Sequence, residues 1–291
     1  LIHLTITFFF DRNEMLKLRD WIENLNDTYL SKNPNAISYL EEHPEKIKWF
    51  YLSSNENAMP ILERNQDKIH WDILSQNPSA IDLLQANQDK IDWGFLSSNP
   101  NAIHLLEANQ DKINWVRLSK NPSAIHLLQA NPDKIDWLNL SYNPNAIQLL
   151  QENQDKIYWM ALCCNLNAIP LIEANPDKID WICLSSNPNA IHLLEKNIDL
   201  INWESFSLNE NGLALHQKYP ERIQWYFLSK NPFLIDLIEK NLDKVDLVFL
   251  STNPAIFEYD YKNMVRPFTE ELMQNRFHPQ NLDKFEAWGF E

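Results

Sequence analysis

The chain has 291 residues, 44% hydrophobic and 22% charged, with 40 acidic residues against 25 basic ones for a formal charge of −15. That balance opposes a nucleic-acid ligand, because affinity for a phosphate backbone rests on Lys and Arg. The three cysteines, Cys163, Cys164 and Cys183, make no disulfide framework and suit a reducing compartment.

The apolar stretch from Leu1 to Phe10 is too short to span a bilayer and lacks the basic start and cleavage site of a secretory signal. Asp11 to Asn24 follows and reads as a capping helix carrying Met15, Leu16, Leu18, Trp21 and Ile22.

A repeat then takes over. Tryptophan recurs every 22 residues at Trp49, Trp71, Trp93, Trp115, Trp137, Trp159, Trp181, Trp203 and Trp225. Gapless self-similarity of this kind marks one supersecondary unit stacked many times. Each unit opens on an Asn, at 33, 55, 77, 99, 121, 143, 165, 187, 209, 231 and 253, and eight of these are followed by Pro. Asn is a favoured N-cap and Pro a favoured first residue, so Asn-Pro predicts the start of a helix. In helix A, Ala146, Ile147, Leu149 and Leu150 share one arc of the helical wheel.

A second cap is expected at Asn131 or Asn153, each followed two residues later by an acid that suits a helix start. Helix B then carries Ile135, Trp137 and Leu140 inward and closes near Ser141. Neither helix stands alone at this length, so stacking must supply the stability, with the tryptophans expected as the buried adhesive. The Leu-x-x-Leu-x-Leu strand pattern of leucine-rich repeats is missing. The expected fold is all-α: a solenoid of about eleven 22-residue two-helix repeats with helical caps, extending roughly 100 Å at ordinary helix spacing. Residues 1–32 form the N-terminal segment and capping helix, 33–254 the array, and 255–291 a C-terminal helical cap.

One unit is irregular, with Gly212 in the Ala column and Tyr219 in the second Asn column. The Trp column stops at Asp27 and Leu247, which locates the ends of an open array. Beyond it, Thr269 to Arg276 and Asn281 to Trp288 read as short helices separated at His278-Pro279.

Chemistry is hard to find in so repetitive a chain. Neighbours in the column of His104, His126 and His192 lie a repeat apart, too far to share one metal. The ten acids that open helix B, nine of them followed by Lys or Arg and Asp199 unpaired, describe solvated, dipole-matched helix ends. There is no Gly-rich phosphate loop and no zinc spacing. No catalytic, cofactor-binding or metal-ligating residue is assigned, and the protein is expected to be non-enzymatic.

Specificity is expected instead in the columns that vary while the scaffold repeats: the residue before each Trp and the one two positions after it. Tyr51, Ile73 and Phe95 form one run of large apolar residues at neighbouring repeats, and Phe227 and Phe249 another, with Tyr158 in the preceding column. Exposed, these residues would anchor a protein partner. The alternative is a column half-buried against the next unit. The acidic stripe Glu41, Glu63, Glu107, Glu173, Glu195 and Glu239 on helix A reads as a solvated face.

The motif Trp-x-x-Leu-Ser-x-Asn-Pro-Asn-Ala-Ile-x-Leu-Leu-Glu-x-Asn-x-Asp-Lys-Ile resembles short tandem-repeat proteins of giant nucleocytoplasmic DNA viruses. The leader Lys17 to Ile22 and the tail Asn275 to Pro279 through Lys284 to Phe290 are similar to sequences flanking such arrays. The resemblance implies a viral interaction scaffold with a protein partner, in host cytoplasm or virion. It brings no catalytic residues. The alternative is a structural virion or assembly component, such as a minor capsid-associated protein.

Overall fold

The computed structural model describes residues 16–22 and 25–260. The N-terminal apolar stretch and the two C-terminal helices expected from sequence lie outside them. Two compact units result: Glu23–Ile256, which is the array, and a second unit from the segments on either side. In the second unit, β1 (Leu16–Leu18) pairs antiparallel with β2 (Phe257–Tyr259), Leu16 opposite Tyr259. The capping helix expected over Asp11 to Asn24 is therefore not formed at Leu16–Leu18, where the ladder to β2 captures the backbone instead.

The array is all-α, and each helix is shorter and more subdivided than expected. In the repeat opened by Asn99, a 3-10 turn at Pro100–Ala102 leads into helix A at Ile103–Ala108. A second 3-10 turn at Gln110–Lys112 then precedes helix B at Trp115–Ser119. The second Asn does not start helix B. Asn109 Nδ2 donates to the Leu105 carbonyl at 2.9 Å, so it closes helix A by satisfying one of its last acceptors.

The interior consists of columns. Leu30, Leu52, Leu74, Leu96, Leu118, Leu140, Leu162, Leu184, Leu228 and Leu250 on helix B are all essentially without solvent contact, with Phe206 in the same column. The tryptophans are not the interior: all nine are only half-buried. A lysine 19 residues later covers the outer face of most of them, as Lys112 does over Trp93 at 4.3 Å and Lys134 over Trp115 at 4.6 Å. An indole is large enough to seal the seam between repeats while leaving one face to a cation.

Polar residues fill the rest of the core, and every functional atom of the first Asn is used. Asn121 Nδ2 donates to the carbonyls of Ser97 (3.1 Å) and Asn99 (3.0 Å) in the preceding repeat. Its Oδ1 accepts from the Ser123 N–H at 3.0 Å. The Ser at the end of helix B works alongside it: Ser119 Oγ donates to the Trp115 carbonyl and accepts from the Asp136 N–H in the next repeat. Cys163 is the one departure in that column, and its Sγ accepts from the Asp180 N–H at a longer 3.3 Å.

This ladder does not end. Asn33 Nδ2 donates to the carbonyls of Ser251 (3.2 Å) and Asn253 (2.8 Å), the same bonds that join any two neighbours inside the array. Asn35 Nδ2 reaches the Pro254 carbonyl at 2.9 Å, and the Asn26 N–H reaches Ser251 Oγ at 2.8 Å. The first helix B, Asp27–Leu30, thus follows the last, Leu247–Leu250, as the next repeat would. The array is a closed ring of eleven repeats, not an extended superhelix, and Asp27 and Leu247 are neighbours at its junction.

Within the ring, helix B lies directly on helix B of the next repeat, as Trp115–Ser119 does on Trp137–Tyr142 and that helix on Trp159–Cys163. Helix A makes its closest contacts with the 3-10 turns of its own repeat. Between helices A the links are long side chains: Gln85 to His104 at 2.7 Å, Glu107 to His126 at 2.8 Å, Glu173 to His192 at 2.8 Å, and Glu41 to Arg64. An open cleft between the first two repeats is lined by Leu40, Ile61, Trp49 and Lys68. Tight packing along one row and bridged gaps along the other place helix B on the inner circumference and helix A on the outer.

The irregular unit keeps its place by a size exchange. Phe206 replaces Leu in the core, and a Cβ on Gly212 would stand 3.1 Å from its Cζ, so the missing methyl makes room for the ring. His216 occupies the neighbouring Leu column, fully buried against Phe206 with ring centroids 4.8 Å apart. Its two ring nitrogens have no hydrogen-bond partner, and burial lowers its pKa to about 4 against a weaker opposing pull from the Phe206 carbonyl.

Candidate protein-binding surface

Helix B turns about 100° per residue, so the residue after Trp stands about 160° from the core Leu two positions further on. It must point away from helix A, toward the inside of the ring. That column is exposed and largely apolar: Phe50, Val116, Leu138, Met160, Ile182, Tyr226 and Val248, from 37% accessible at Val248 to 60% at Ile182. Asp72, Gly94 and Glu204 interrupt it, and Thr28 takes the position at the junction.

Four consecutive repeats, from Val116 through Leu138 and Met160 to Ile182, form one unbroken apolar arc. Closure creates the second, because Tyr226 and Val248 run through Thr28 to Phe50. With eleven repeats in the ring, the centres of the two arcs lie five repeats apart one way and six the other, on opposite sides of the bore. The interruptions at Glu204 and at Asp72 and Gly94 separate them.

The residues singled out from the sequence fall beside this column. Tyr51, Ile73, Phe95, Phe227 and Phe249 are half-buried between repeats, and Tyr158 is 54% exposed. Closure places Tyr29 between Phe249 and Tyr51 in register, which joins the two runs into one. Tyr29 lies tilted against Tyr51 at 5.5 Å, Phe227 stacks on Phe249 at 6.3 Å, and Tyr226 meets Phe249 edge-on at 4.2 Å. The Arg117 guanidinium covers Phe95 at 4.1 Å. These rings brace the base of the exposed column and do not themselves form it.

The column before Trp is less free to vary than its sequence suggests. Asp92, Asn114, Asp136, Asp180, Asn202 and Asp246 each accept from the N–H three residues on and so cap helix B. The column after Trp is not among those expected from the sequence, because the residues two positions after Trp carry the more conspicuous aromatic runs. The same wheel that places Leu inward identifies it, since no position of the helix is turned further from the core.

On the outer row, Glu41, Glu107 and Glu173 of the acidic stripe are engaged with Arg64, His126 and His192 of the next repeat. Burial holds the Cys163 thiol protonated, pushed up to about 11, and Cys183 is raised further by burial and by Cys164 beside it. Among the described residues no helix is long and apolar enough to cross a membrane.

Compared with protein-family models, with characterised proteins and with solved structures, the chain matches none.

Proposed function

We propose that the chain is a non-enzymatic scaffold whose inner surface holds a protein partner. The observation that supports this reading is the arc Val116, Leu138, Met160 and Ile182. Four large side chains at consecutive repeats are exposed side by side on a frame held by buried leucines and by the Asn and Ser ladders. Contiguous exposed apolar surface on a rigid support is the usual mark of a protein interface, with its few largest residues as anchors. On the resemblance to giant-virus repeat proteins, the partner is proposed to be a protein of the host cytoplasm or of the virion.

The test is affinity capture with the tagged chain beside a Met160→Asp, Ile182→Asp variant. A partner retained by the first and lost by the second supports the reading. Retention of nothing above background, or retention indifferent to the variant, overturns it.

A further inference from the structure

The arrangement of the two arcs narrows the class of partner, on the reading that the inner surface binds protein. Helices in direct contact run about 8 Å apart, so eleven of them place the helix B axes on a circle of about 14 Å radius. Allowing about 5 Å for each wall helix leaves an opening about 18 Å across. One α-helix with its side chains, about 10–12 Å wide, passes that opening with about 3–4 Å to spare on each side, a gap that the longest lining side chains, Met160, Tyr226 and Phe50, enter by reaching beyond the average width of the wall. A folded domain does not fit.

The lining has four sectors. The apolar arcs face each other, Val116 to Ile182 against Tyr226 to Phe50, and between them stand exposed carboxylates, Glu204 on one side and Asp72 on the other. The chain as a whole carries a formal charge of −15, which reinforces attraction for a basic ligand. An extended strand presents side chains to two opposite sides only and turns bare backbone to the others. A helix presents side chains all round. It can set apolar residues against both arcs and Lys or Arg against both carboxylates.

We propose that the bore of the ring receives a single basic α-helix with apolar residues on two opposite faces and cationic residues between them. Met160 and Ile182 are its main apolar contacts on one side, Tyr226 and Phe50 on the other, and Asp72 and Glu204 receive its cations.

The probe is a labelled synthetic peptide of roughly 18 residues, about five helical turns, with Leu on two opposite faces and Lys between them. Its binding to the full chain is read by fluorescence anisotropy at low and moderate salt. Expected is saturable, salt-weakened binding that falls at least about tenfold in the Met160→Asp, Ile182→Asp variant. It should also fall several-fold in Asp72→Lys, Glu204→Lys and stay unchanged in Glu107→Lys, which alters the outer row. A counterpart with Glu for Lys should bind at least about tenfold more weakly. These side chains are exposed, so the variants should keep their melting temperatures; Ile182→Ser replaces any that does not.

Absence of binding, or binding indifferent to both inner variants, overturns the proposal. So does equal binding of the Glu peptide, or tighter binding of single-stranded RNA than of the Lys peptide. If the peptide fails while capture of a partner still depends on Met160 and Ile182, the helix falls and the scaffold reading stands. If capture is also indifferent to them, both fall.

Discussion

Asn33 Nδ2 donates to the carbonyl of Asn253 at 2.8 Å, across 220 residues of chain. The bond matches that of Asn55 to Asn33 or Asn143 to Asn121. The first and last repeats are therefore neighbours in the sense that consecutive repeats are.

Closure makes a sharp prediction for Asn33→Ala. In an open array this side chain would have no preceding repeat, and its loss would cost about 1 kcal/mol as a cap. In the ring it leaves the buried Ser251 carbonyl and the Asn35 N–H unpaired and takes one of two donors from the Asn253 carbonyl, which keeps the Ile256 N–H, so the cost should be about 2–4 kcal/mol and match that of Asn121→Ala. Denaturant unfolding of the two variants compares them. A clearly milder Asn33→Ala would mean an open array.

Asn121→Asp should be worse than Asn121→Ala. The carboxylate keeps the acceptor that serves Ser123 but turns negative oxygen toward the Ser97 and Asn99 carbonyls in a buried site. Burying an unpaired charge costs more than losing the donor. Thermal melts at pH 7 should rank wild type, alanine, aspartate in falling order.

His216 predicts an acid sensitivity. Its folded-state pKa of about 4 lies below its ordinary value of 6.5, so folding favours the neutral ring. That stability is fully present above pH 6.5 and is lost as pH falls toward 4, up to about 3 kcal/mol. His216→Leu restores the residue type of its column, should stabilise by about 1–2 kcal/mol at pH 7, and should flatten the profile between pH 6.5 and 4. Unfolding curves across that range read both effects, and an unchanged slope would contradict the assignment.

Gly212 and Phe206 should be coupled. Gly212→Ala alone crowds the Phe206 ring and should be neutral to destabilising. Combined with Phe206→Leu it recreates the Leu and Ala pair of Leu184 and Ala190, and the double-mutant cycle should show about 1 kcal/mol of favourable coupling. Additive effects would mean that the two sites do not share the space.

The period, the all-α class and the columns were legible in the sequence because each is written locally and repeated. Asn121 was legible only in part. Its acceptor acts within two residues and reads as a cap, while its donors act on a neighbour whose placement depends on the stacking. The tryptophans were misread as interior because size was equated with burial, whereas Leu118 has the same periodicity and lies deeper. Closure was not legible at all. It depends on a turn of about 33° per repeat, accumulated over the array, and no single repeat displays that angle. The missed column after Trp was open to the helical wheel, but its opposition of arcs appears only once Tyr226 and Phe50 are joined through Thr28.

Each Asn side chain in the ladder donates toward the preceding repeat, so the bonds all run one way around the ring. Stacked in a line, those aligned amides would add to a dipole along the stack, with unanswered donors at one end and unanswered carbonyls at the other. Bent into a circle, each amide is balanced by those across the bore, and their vectors sum to nearly nothing. Asn33 thereby answers the carbonyl of Asn253 and abolishes both poles at once, which lets a buried column of polar groups run the length of a protein without leaving a charge at either end.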